Sequence, residues 1–477
     1  MVKSEVEFEL GNIGTSTPAK YLDRFSPRDN SLIFKTPLSG EKEAHELFQN
    51  ISACSSKFQD LGVIKASEIL IEVCQELKRN RDEINQCVFI ETGKTEKLVE
   101  GEFETSLKFM TALSGLSQFE VGRVIPSANT KKNVYTKRVP IGIAALITSH
   151  NTPLPNYAWK IAPSFLSLNS SILKPSEYTS GSAQKFVECF NSVGAPQYMV
   201  NLFHGDAEAA QSIIAMKPDL ISFTGSFETG MKVKSATNSY SPKLILEMGG
   251  SNPIIICKSA DLKKAASVIA ESAFSNSGQR CASASRLIVH ESVLDNLIPL
   301  LHSSVETLVS TTGRESFSGC LVSLDAKKKH VDFLNNARLS GSNVLEFNYE
   351  KSLEGCYVNP AVVTRNQDKN QDGFVEIFSP ILFVEVFNEI EEALLKANST
   401  TYGLTAAVWT DDFSESFYFS NHVKSGVVNI NGPTHGAEFQ FPFGGQGFSG
   451  NGAKEVGINC LAEYSFERLI SVTAYGK

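Results

Sequence analysis

The sequence predicts an α/β protein with doubly wound parallel sheets, and two observations support this fold class. Short apolar runs such as Ile141–Ile147 and Leu220–Phe223 alternate with amphipathic stretches such as Ala207–Met216. Buried strands that alternate with helices are typical of a parallel sheet with crossover helices on its faces. The chain has 477 residues and is 42% hydrophobic, which exceeds what a single ordinary core requires. We therefore expect two or more domains.

The predicted elements fall into three groups along the chain. Amphipathic helices come first, because apolar residues recur at three- and four-residue intervals in Glu41–Phe58, Lys65–Arg79 and Arg81–Glu91. A first α/β series then comprises Ile141–Ile147, Ser171–Leu173, Ala207–Met216, Leu220–Phe223, Lys243–Leu246, Pro253–Cys257 and Asp261–Ser275. A second series comprises Arg286–His290, Leu294–Val309, Ala361–Thr364, Ile381–Phe387 and Ala406–Trp409.

Composition and charge exclude several classes of partner. The net charge is -8 and the Lys and Arg residues are dispersed, so the chain lacks the basic field that binds nucleic acid. Met1–Leu10 lacks the basic start and apolar core of a signal peptide, and no run approaches the roughly 18 apolar residues of a membrane span. The 9 cysteines have no metal-ligand spacing, which favours free thiols in a reducing compartment. We expect a cytoplasmic protein without a metal, membrane or nucleic-acid partner.

A cysteine among small residues is the first candidate for chemistry. Ser275–Arg286 reads SNSGQRCASASR, which places Cys281 shortly after Gly278 at the end of an amphipathic helix. Small neighbours leave backbone N–H groups accessible and let a carbonyl group approach the sulfur. On these features alone a buried structural cysteine is the more common explanation, so a catalytic role needs support from elsewhere in the chain.

That support is a resemblance to the aldehyde dehydrogenase superfamily. SGQRC, at Ser277–Cys281, resembles the family's nucleophile motif, and LEMGGSNP, at Leu246–Pro253, is similar to its general-base motif. The two segments occur in the family's order and at its usual separation, and further motifs extend the resemblance from about Thr92 to the C-terminus. The implied fold is aldehyde dehydrogenase-like, with two doubly wound Rossmann-like domains and a small β oligomerisation arm.

The resemblance also implies domain boundaries. Residues 1–115 and 138–247 would form the dinucleotide-binding domain, and residues 248–461 the catalytic domain with the nucleophilic cysteine. Residues 116–137 and 462–477 would form the oligomerisation arm. We therefore expect a homodimer or a homotetramer.

Four polar residues receive catalytic roles from the resemblance. Cys281 is the predicted nucleophile, and Glu247 would activate its thiol or the water that hydrolyses a thioester. Asn151, within Arg138–Glu177, would stabilise the oxyanion together with the backbone N–H of Cys281. Lys160 matches a lysine near the general base and would belong to a proton relay. The ordinary alternatives are a loop-capping glutamate, a turn asparagine and a solvated lysine.

The implied cofactor is NAD, with NADP as the less favoured alternative. FTGSFETG, at Phe223–Gly230, follows a predicted strand and opens a helix; it is not G-x-G-x-x-G but is similar to the family's phosphate turn. Glu177 matches the position at the adenosine ribose, where a carboxylate accepts hydrogen bonds from the hydroxyls and repels a 2'-phosphate. Glu376 and Phe378 match the pair at the nicotinamide ribose; a strand-edge glutamate and a buried phenylalanine are the alternatives. The predicted cofactor residues are Ile147, Thr148, Lys174, Ser176, Glu177, Gly205, Phe223, Gly225, Ser226, Thr229, Gly230, Met248, Gly249, Glu376 and Phe378.

The substrate pocket is predicted by analogy with the same family. Its expected residues are Asn156, Tyr157, Arg280, Ala282, His435 and Phe443, the last two from the loop Thr434–Phe443. The polar residues Asn156, His435 and Glu438 favour a functionalised aldehyde over a plain alkyl one. Three features depart from the family pattern: Ser149–His150 replaces a common Pro-Trp pair, Gly447 stands where many members have lysine, and Asn451–Gly457 is one residue longer than the commonest spacing.

The predicted function is NAD-dependent oxidation of an aldehyde to a carboxylic acid through a thiohemiacetal and a thioester on Cys281. Release of the acyl group to coenzyme A ranks second, because family members that transfer to coenzyme A generally lack a carboxylate at the position of Glu247. A cysteine hydrolase without redox chemistry leaves the phosphate turn, Lys174 and Glu177 unexplained. A catalytically silent binding protein is disfavoured because the cysteine, asparagine and glutamate are all present.

Overall fold

The computed structural model describes residues 8–54, 56–118, 122–312, 319–347, 355–364, 376–436, 438–457 and 459–474. Its strands are β1 (Phe8–Glu9), β2 (Tyr21–Phe25), β3 (Leu32–Pro37), β4 (Val124–Ile125), β5 (Lys132–Pro140), β6 (Ile143–Ile147), β7 (Ser170–Lys174), β8 (Val200–Leu202), β9 (Leu220–Thr224), β10 (Lys243–Glu247), β11 (Asn252–Ile256), β12 (Ala284–His290), β13 (Asn343–Glu346), β14 (Ala361–Thr364), β15 (Ile381–Phe387), β16 (Tyr402–Gly403), β17 (Thr405–Trp409), β18 (Val427–Ile430), β19 (Gln446–Gly447) and β20 (Ser465–Thr473).

Its α-helices are α1 (Glu41–Cys54), α2 (Ser56–Arg79), α3 (Arg81–Thr92), α4 (Glu96–Leu116), α5 (Pro153–Leu166), α6 (Ser180–Ser192), α7 (Ala207–Ala215), α8 (Phe227–Ala236), α9 (Leu262–Phe274), α10 (Glu291–Thr312), α11 (Leu324–Leu339), α12 (Ile390–Ala397), α13 (Phe413–His422) and α14 (Cys460–Glu463). Within the described ranges, no helix has both the length and the apolar character needed to cross a membrane. The strands and helices predicted from periodicity are confirmed, and most of their ends differ by a few residues. The first two predicted helices, Glu41–Phe58 and Lys65–Arg79, differ more, because α1 ends at Cys54 and α2 begins at Ser56, well before Lys65, with a non-helical backbone at Gly62.

The first parallel sheet has the order β10-β9-β6-β7-β8. Alternate residues of β6 enter different cores: Leu146 packs in the cluster that contains Phe165 of α5, and Ala145 in the cluster that contains Leu47 of α1 and Ile213 of α7. Helices therefore cover both faces, which is why the strand is apolar throughout. The strand order reverses between β6 and β9, and in open α/β sheets such a reversal leaves a ligand crevice at the carboxyl ends of the strands.

The second sheet has the order β13-β14-β15-β12-β11-β17-β18, and only β13 is antiparallel to its neighbour. Ile254 and Ile255, consecutive residues of β11, again belong to different apolar clusters. The two parallel sheets confirm the doubly wound α/β class. The chain passes from the first sheet to the second between Glu247 and Asn252, and the domain boundary at residue 247 remains a proposal consistent with that passage.

A third, antiparallel sheet has the order β20-β5-β4. β5 and β20 pair from Lys132 with Thr473 to Pro140 with Ser465. Phe466, Leu469 and Val472 of β20 are 50%, 60% and 53% exposed. Because side chains alternate along a strand, Phe466 and Val472 lie on one face of this sheet and Leu469 on the other, so both faces carry exposed apolar side chains. Its strands lie mainly in the segments predicted as the arm, although β5 continues to Pro140 and the N-terminal arm segment overlaps the end of α4.

The local structure explains why position 447 is glycine and not the lysine that many members of the family have. Gly447 lies in β19, which pairs with Tyr402–Gly403 of β16. Its φ is 61°, and a Cβ atom there would lie 2.4 Å from the carbonyl oxygen of Thr401. Since glycine adopts a left-handed backbone without a steric penalty, the close strand pairing accounts for glycine at this position.

Candidate active site

The loop that carries Cys281 has an unusual backbone. α9 ends at Phe274, and then Asn276, Ser277 and Gly278 all adopt left-handed conformations, with φ values of 55°, 52° and 68°. Two of the three are not glycine, so the loop is strained. This reversal places Cys281 in the turn just before β12.

Side chains from two other segments anchor this turn. The amide Nδ2 of Asn252, the first residue of β11, donates to the carbonyl oxygens of Cys281 (2.7 Å) and Ser283 (2.8 Å). The hydroxyl of Thr434 donates to the carbonyl oxygen of Ala282 at 2.7 Å. The nucleophile candidate is therefore held by hydrogen bonds to the backbone of its own turn, and the residue as a whole is partly exposed.

The thiol of Cys281 is in an environment that opposes ionisation. Burial raises its pKa to about 12, and the nearby carboxylates of Glu376 and Glu247 raise it further, against backbone N–H groups that favour the thiolate. A thiol in this setting is neutral at pH 7. Nucleophilic attack therefore needs a base to accept its proton.

Glu247 is the last residue of β10 and is only 4% exposed. Neither carboxylate oxygen has a hydrogen-bond partner within the described part of the chain. Burial raises its pKa to about 8, while the charges of Lys160 and Lys454 lower it. Glu247 therefore does not cap a loop, and a carboxyl group with a pKa near neutral pH is suited to accept and release protons.

Lys160 is fully buried, which rules out a solvated helix lysine. Its Nζ donates to the carboxylate of Glu455 and to the hydroxyl of Ser222 at 2.9 Å, and Tyr464 donates to the same hydroxyl at 3.0 Å. Burial lowers the pKa of Lys160 to about 7, against the charge of Glu247, which raises it. Sequence reasoning missed Glu455, although it is the only acidic residue of the lengthened segment Asn451–Gly457.

Asn151 lies between β6 and α5 and is 5% exposed. The hydroxyl of Ser149 donates to its side-chain oxygen at 2.5 Å, and Asn156 Nδ2 lies 3.4 Å from that hydroxyl and 3.2 Å from the hydroxyl of Thr152. The amide oxygen of Asn151 is thus occupied, so its NH2 group is the end that can bind a further acceptor. Asn276 connects this segment to the cysteine loop by donating to the carbonyl oxygen of Asn151 at 3.4 Å.

The predicted cofactor residues gather largely at the carboxyl ends of the first sheet. Ile147 is the last residue of β6, and Thr148 follows it. Lys174 is the last residue of β7, and Gly225 follows β9. The hydroxyl groups of Thr148 and Thr224 are buried and have no hydrogen-bond partner within the described residues. Unsatisfied polar atoms in a crevice are unfavourable unless a ligand or water binds them. The same crevice is flanked by Phe223, Ser226, Thr229, Gly230, Ser176, Glu177, Met248 and Gly249.

Contacts at this crevice leave little room for side chains. A Cβ atom on Gly225 would lie 2.5 Å from the ring of Phe223, and one on Gly249 would lie 1.8 Å from the carboxylate of Glu376. Ser226 caps the N-terminus of α8, where its hydroxyl accepts from the backbone N–H of Thr229 at 3.3 Å. The exposed backbone and the start of a helix fit the anionic groups of a dinucleotide. Gly205 has a packing reason instead, since its Cβ would lie 2.5 Å from Ala209 of α7.

The structure excludes the strand-edge glutamate and the buried phenylalanine that were the alternative interpretations of Glu376 and Phe378. Glu376 lies outside the strands and accepts from the backbone N–H of Gly250 at 3.1 Å, and burial raises its pKa to about 7. Phe378 is only partly buried, has a φ of 56°, and its ring centroid lies 5.9 Å from that of His150. They are thus neither a strand-edge glutamate nor a buried core phenylalanine.

The predicted substrate residues divide into two groups. Arg280 and Ala282 flank the nucleophile, and His435 follows Thr434, whose hydroxyl binds Ala282. Asn156 lies beside Ser149 as described, and the ring of Phe443 is 6.5 Å from that of Trp159. Glu438 is exposed and accepts from Gln440 at 2.6 Å. Tyr157 is different.

Tyr157 lies in the apolar core and has no exposed surface. Its side chain is fully buried, its hydroxyl donates to the carbonyl oxygen of Thr179 at 2.8 Å, and its ring packs edge-on against Phe186 of α6. The sequence placed it in the pocket because it follows Asn156, but successive helix residues point in different directions. We therefore remove Tyr157 from the substrate-pocket residues.

Comparisons with known proteins agree with this geometry. Residues 14–470 match the model of the aldehyde dehydrogenase family. The α-ketoglutarate semialdehyde dehydrogenase of Haloferax volcanii is 29% identical over 91% of this chain and 91% of its own length. The betaine aldehyde dehydrogenase of Bacillus subtilis is 29% identical over 86% of this chain and 85% of its own length. The crystal structure of betaine aldehyde dehydrogenase from Staphylococcus aureus in complex with NAD+ superimposes with a TM-score of 0.91 at 25% identity and covers 98% of this chain and 95% of that chain.

The chain therefore belongs to the aldehyde dehydrogenase family. It is an oxidoreductase of that class, and the prediction of the family, the α/β fold and the enzyme class is confirmed.

The buried carboxyl group of Glu247 predicts a pH-dependent stability. Its folded pKa of about 8 lies above the ordinary 4.5, so the folded state binds the proton more tightly and the free energy of unfolding falls as the pH rises from about 4.5 to about 8. Glu247→Gln removes this loss. We expect the variant to be more stable than wild type by on the order of 2 kcal/mol at high pH and nearly equal to it in acid.

Urea unfolding at pH values near 5 and near 9 measures this difference. Glu228→Gln, which changes an exposed glutamate on α8, is the control and should show no such growth with pH. A Glu247→Gln variant whose advantage is the same at both pH values would contradict the buried, high-pKa carboxyl group.

Proposed function

We propose that this enzyme oxidises an aldehyde to a carboxylic acid, with NAD as the main cofactor, through a thioester on Cys281 that Glu247 helps to hydrolyse. The observation that carries the proposal is the meeting of three groups where the two parallel sheets join. These are the thiol of Cys281 on its anchored turn, the buried carboxyl group of Glu247, which has no hydrogen-bond partner within the described residues, and the oriented amide of Asn151. Each has the chemistry that one step of the reaction needs.

The first step is addition of the Cys281 sulfur to the aldehyde carbon. A C–S bond forms, the thiol proton passes to a base, and the carbonyl oxygen takes up negative charge. The NH2 group of Asn151, whose amide is oriented by Ser149, and the backbone N–H of Cys281 stabilise that charge. Bound NAD supplies the acceptor for the hydride that leaves the carbon. The product on the protein is a thioester of Cys281.

The second step is hydrolysis of this thioester. Glu247 removes a proton from water, the resulting hydroxide adds to the thioester carbonyl, and the C–S bond breaks to release the carboxylic acid and the cysteine sulfur. A carboxyl group with a pKa of about 8 binds this proton more readily than an ordinary glutamate does. Lys160, paired with Glu455, adds positive charge near Glu247 and is proposed as part of the path by which the proton leaves.

The crevice residues are proposed to hold three parts of NAD. Lys174 and Glu177 would bind the adenosine ribose, and the turn from Gly225 to Gly230 would bind the phosphates. Glu376 and Phe378 would contact the nicotinamide ribose. The buried hydroxyls of Thr148 and Thr224, which have no hydrogen-bond partner within the described residues, support a ligand in this crevice.

Replacing Glu247 separates the two steps. In Glu247→Gln the hydrolysis should slow by at least about tenfold, because the water loses its base, whereas formation of reduced cofactor in the first turnover should change less. Rapid mixing should therefore show a burst of reduced nicotinamide absorbance followed by a slow steady rate. A variant that loses the first turnover as strongly as the steady rate would contradict the role in hydrolysis.

Addition of coenzyme A to the wild-type enzyme tests the alternative in which the acyl group is released to coenzyme A. The proposal predicts the free carboxylic acid as product with and without coenzyme A. Turnover that requires coenzyme A, or an acyl-coenzyme A product, would replace water by coenzyme A as the acceptor and leave the nucleophile unchanged.

Glu177 should set the cofactor preference. Its carboxylate is partly exposed at the start of a short helical turn after β7, where it would repel a 2'-phosphate. Wild type should have a higher kcat/KM with NAD than with NADP, and Glu177→Gln should reduce the ratio by roughly fivefold or more. Glu208→Gln, an exposed glutamate of α7, is the matched control. A wild type that prefers NADP would contradict this assignment.

We also propose that the chain forms a homodimer or a homotetramer through its third sheet and that it is cytoplasmic. The exposed apolar side chains of β20 support the oligomer, and sedimentation as a monomer would contradict it.

The 9 cysteines, all free thiols in the structure, support a reducing compartment. Fractionation of cells that places the protein outside the cytoplasm would contradict the cytoplasmic location.

The names of the relatives offer two kinds of aldehyde. α-Ketoglutarate semialdehyde carries a carboxylate, and betaine aldehyde carries a quaternary ammonium group. A substrate with a charged group beside its aldehyde is therefore proposed for this enzyme as well, in agreement with the polar residues near Cys281.

A further inference from the structure

Arg280, the residue directly before the nucleophile, is a cation that has no hydrogen-bond or ion-pair partner among the described residues. Its side chain is partly buried, yet within the described residues its guanidinium makes no hydrogen bond and no ion pair. Arg286, six positions later, shows the usual arrangement, because it bonds Glu385 and the carbonyl oxygen of Lys396. A partly buried guanidinium that binds no acceptor of the protein can bind an acceptor that a ligand supplies.

The neighbours of Arg280 do not neutralise it. Burial lowers its pKa, and the charge of Glu271 on α9 opposes this shift without forming an ion pair. Lys94 is close enough to feel the charge of Arg280, but it is already paired with Glu102. Arg280 therefore carries a charge that is available to a ligand beside the sulfur of Cys281.

His435 provides a second unsatisfied group next to the nucleophile. The hydrogen bond from Thr434 to Ala282 places His435 beside the cysteine turn. Its Nδ1 is buried and has no hydrogen-bond partner within the described residues. Burial and the charge of Arg280 lower the pKa of His435 to about 3, so the ring is neutral and can donate one hydrogen bond.

We propose that Arg280 binds a carboxylate of the substrate, so that the aldehyde oxidised at Cys281 is an oxo acid. This proposal rests on the proposed function and names its substrate class. A guanidinium matches the two oxygens of one carboxylate. A phosphate carries about two negative charges, which the single positive charge of Arg280 would not balance. A quaternary ammonium group would be repelled by Arg280. His435 lies where it can donate to the same carboxylate.

Three aldehydes of similar size test the proposal. They are 4-oxobutanoate, its methyl ester and betaine aldehyde, with glyceraldehyde 3-phosphate as the phosphate probe, and formation of reduced nicotinamide is followed for each. We expect kcat/KM for 4-oxobutanoate to exceed that for the methyl ester at least tenfold, mainly through a lower KM, because hydrogen bonds to charged groups discriminate on that scale. High salt should reduce the advantage.

Arg280→Gln should lower this ratio at least tenfold, and Arg280→Lys should restore part of it by keeping the charge. Arg79→Gln, an exposed arginine of α2, is the matched control and should leave the ratio unchanged. If Arg280→Gln fails to fold, the proposal is decided by the wild-type ratio of kcat/KM for 4-oxobutanoate to kcat/KM for the methyl ester.

Equal kcat/KM for the acid and the ester, or a preference for betaine aldehyde or the phosphate, would overturn the carboxylate assignment and leave the aldehyde dehydrogenase function standing. Absence of reduced cofactor with all four aldehydes would overturn both.

Discussion

The structure depends on one short connection, the four residues Met248–Ser251 between β10 and β11. This segment joins two parallel sheets that each have helices on both faces. At its start β10 delivers Glu247, and at its end Asn252 holds the carbonyl oxygen of Cys281. In its middle the backbone N–H of Gly250 binds Glu376. Because the connection is so short, the proposed base and the proposed nucleophile cannot move independently. The two glycines within it leave room for these contacts, since a Cβ atom at either position would collide with them.

Burial governs the chemistry of the groups that this connection brings together. It raises the pKa of Cys281, Glu247 and Glu376 and lowers that of Lys160. In each case burial favours the uncharged form, so Cys281, Glu247 and Glu376 retain protons that the reaction must move, whereas Lys160 releases its proton more readily than an ordinary lysine. A site of this kind is less stable than an apolar one of the same shape. The strained loop from Asn276 to Gly278 adds to that cost, and the hydrogen bonds from Asn252 and Thr434 offset part of it.

Much of the fold and of the site could be predicted from the sequence, for physical reasons. Strands such as β6 and β11 are apolar on both faces, so their periodicity differs from that of the helices around them. Cys281 and Glu247 lie in short glycine-containing motifs, and such motifs can be found from the sequence alone. Long-range pairs could not be found this way. Lys160 and Glu455 are 295 positions apart, and the hydrogen bond from Ser149 to Asn151 depends on side-chain direction. Tyr157 was misplaced for the same reason, because sequence order does not state which face of α5 a residue occupies.

Mass spectrometry can detect the covalent bond between the acyl group and Cys281 through which the reaction is proposed to pass. Glu247→Gln would be mixed with an aldehyde and NAD and quenched during the slow phase. We expect the mass of one acyl group on the peptide that contains Cys281. We expect no acyl mass when NAD is omitted or when Cys281→Ala is added, and full retention when Cys54→Ala, which changes a partly exposed cysteine at the end of α1, is added instead. An acyl group on another residue, or oxidation of the aldehyde by the Cys281→Ala enzyme at a rate near that of wild type, would show that Cys281 is not the nucleophile.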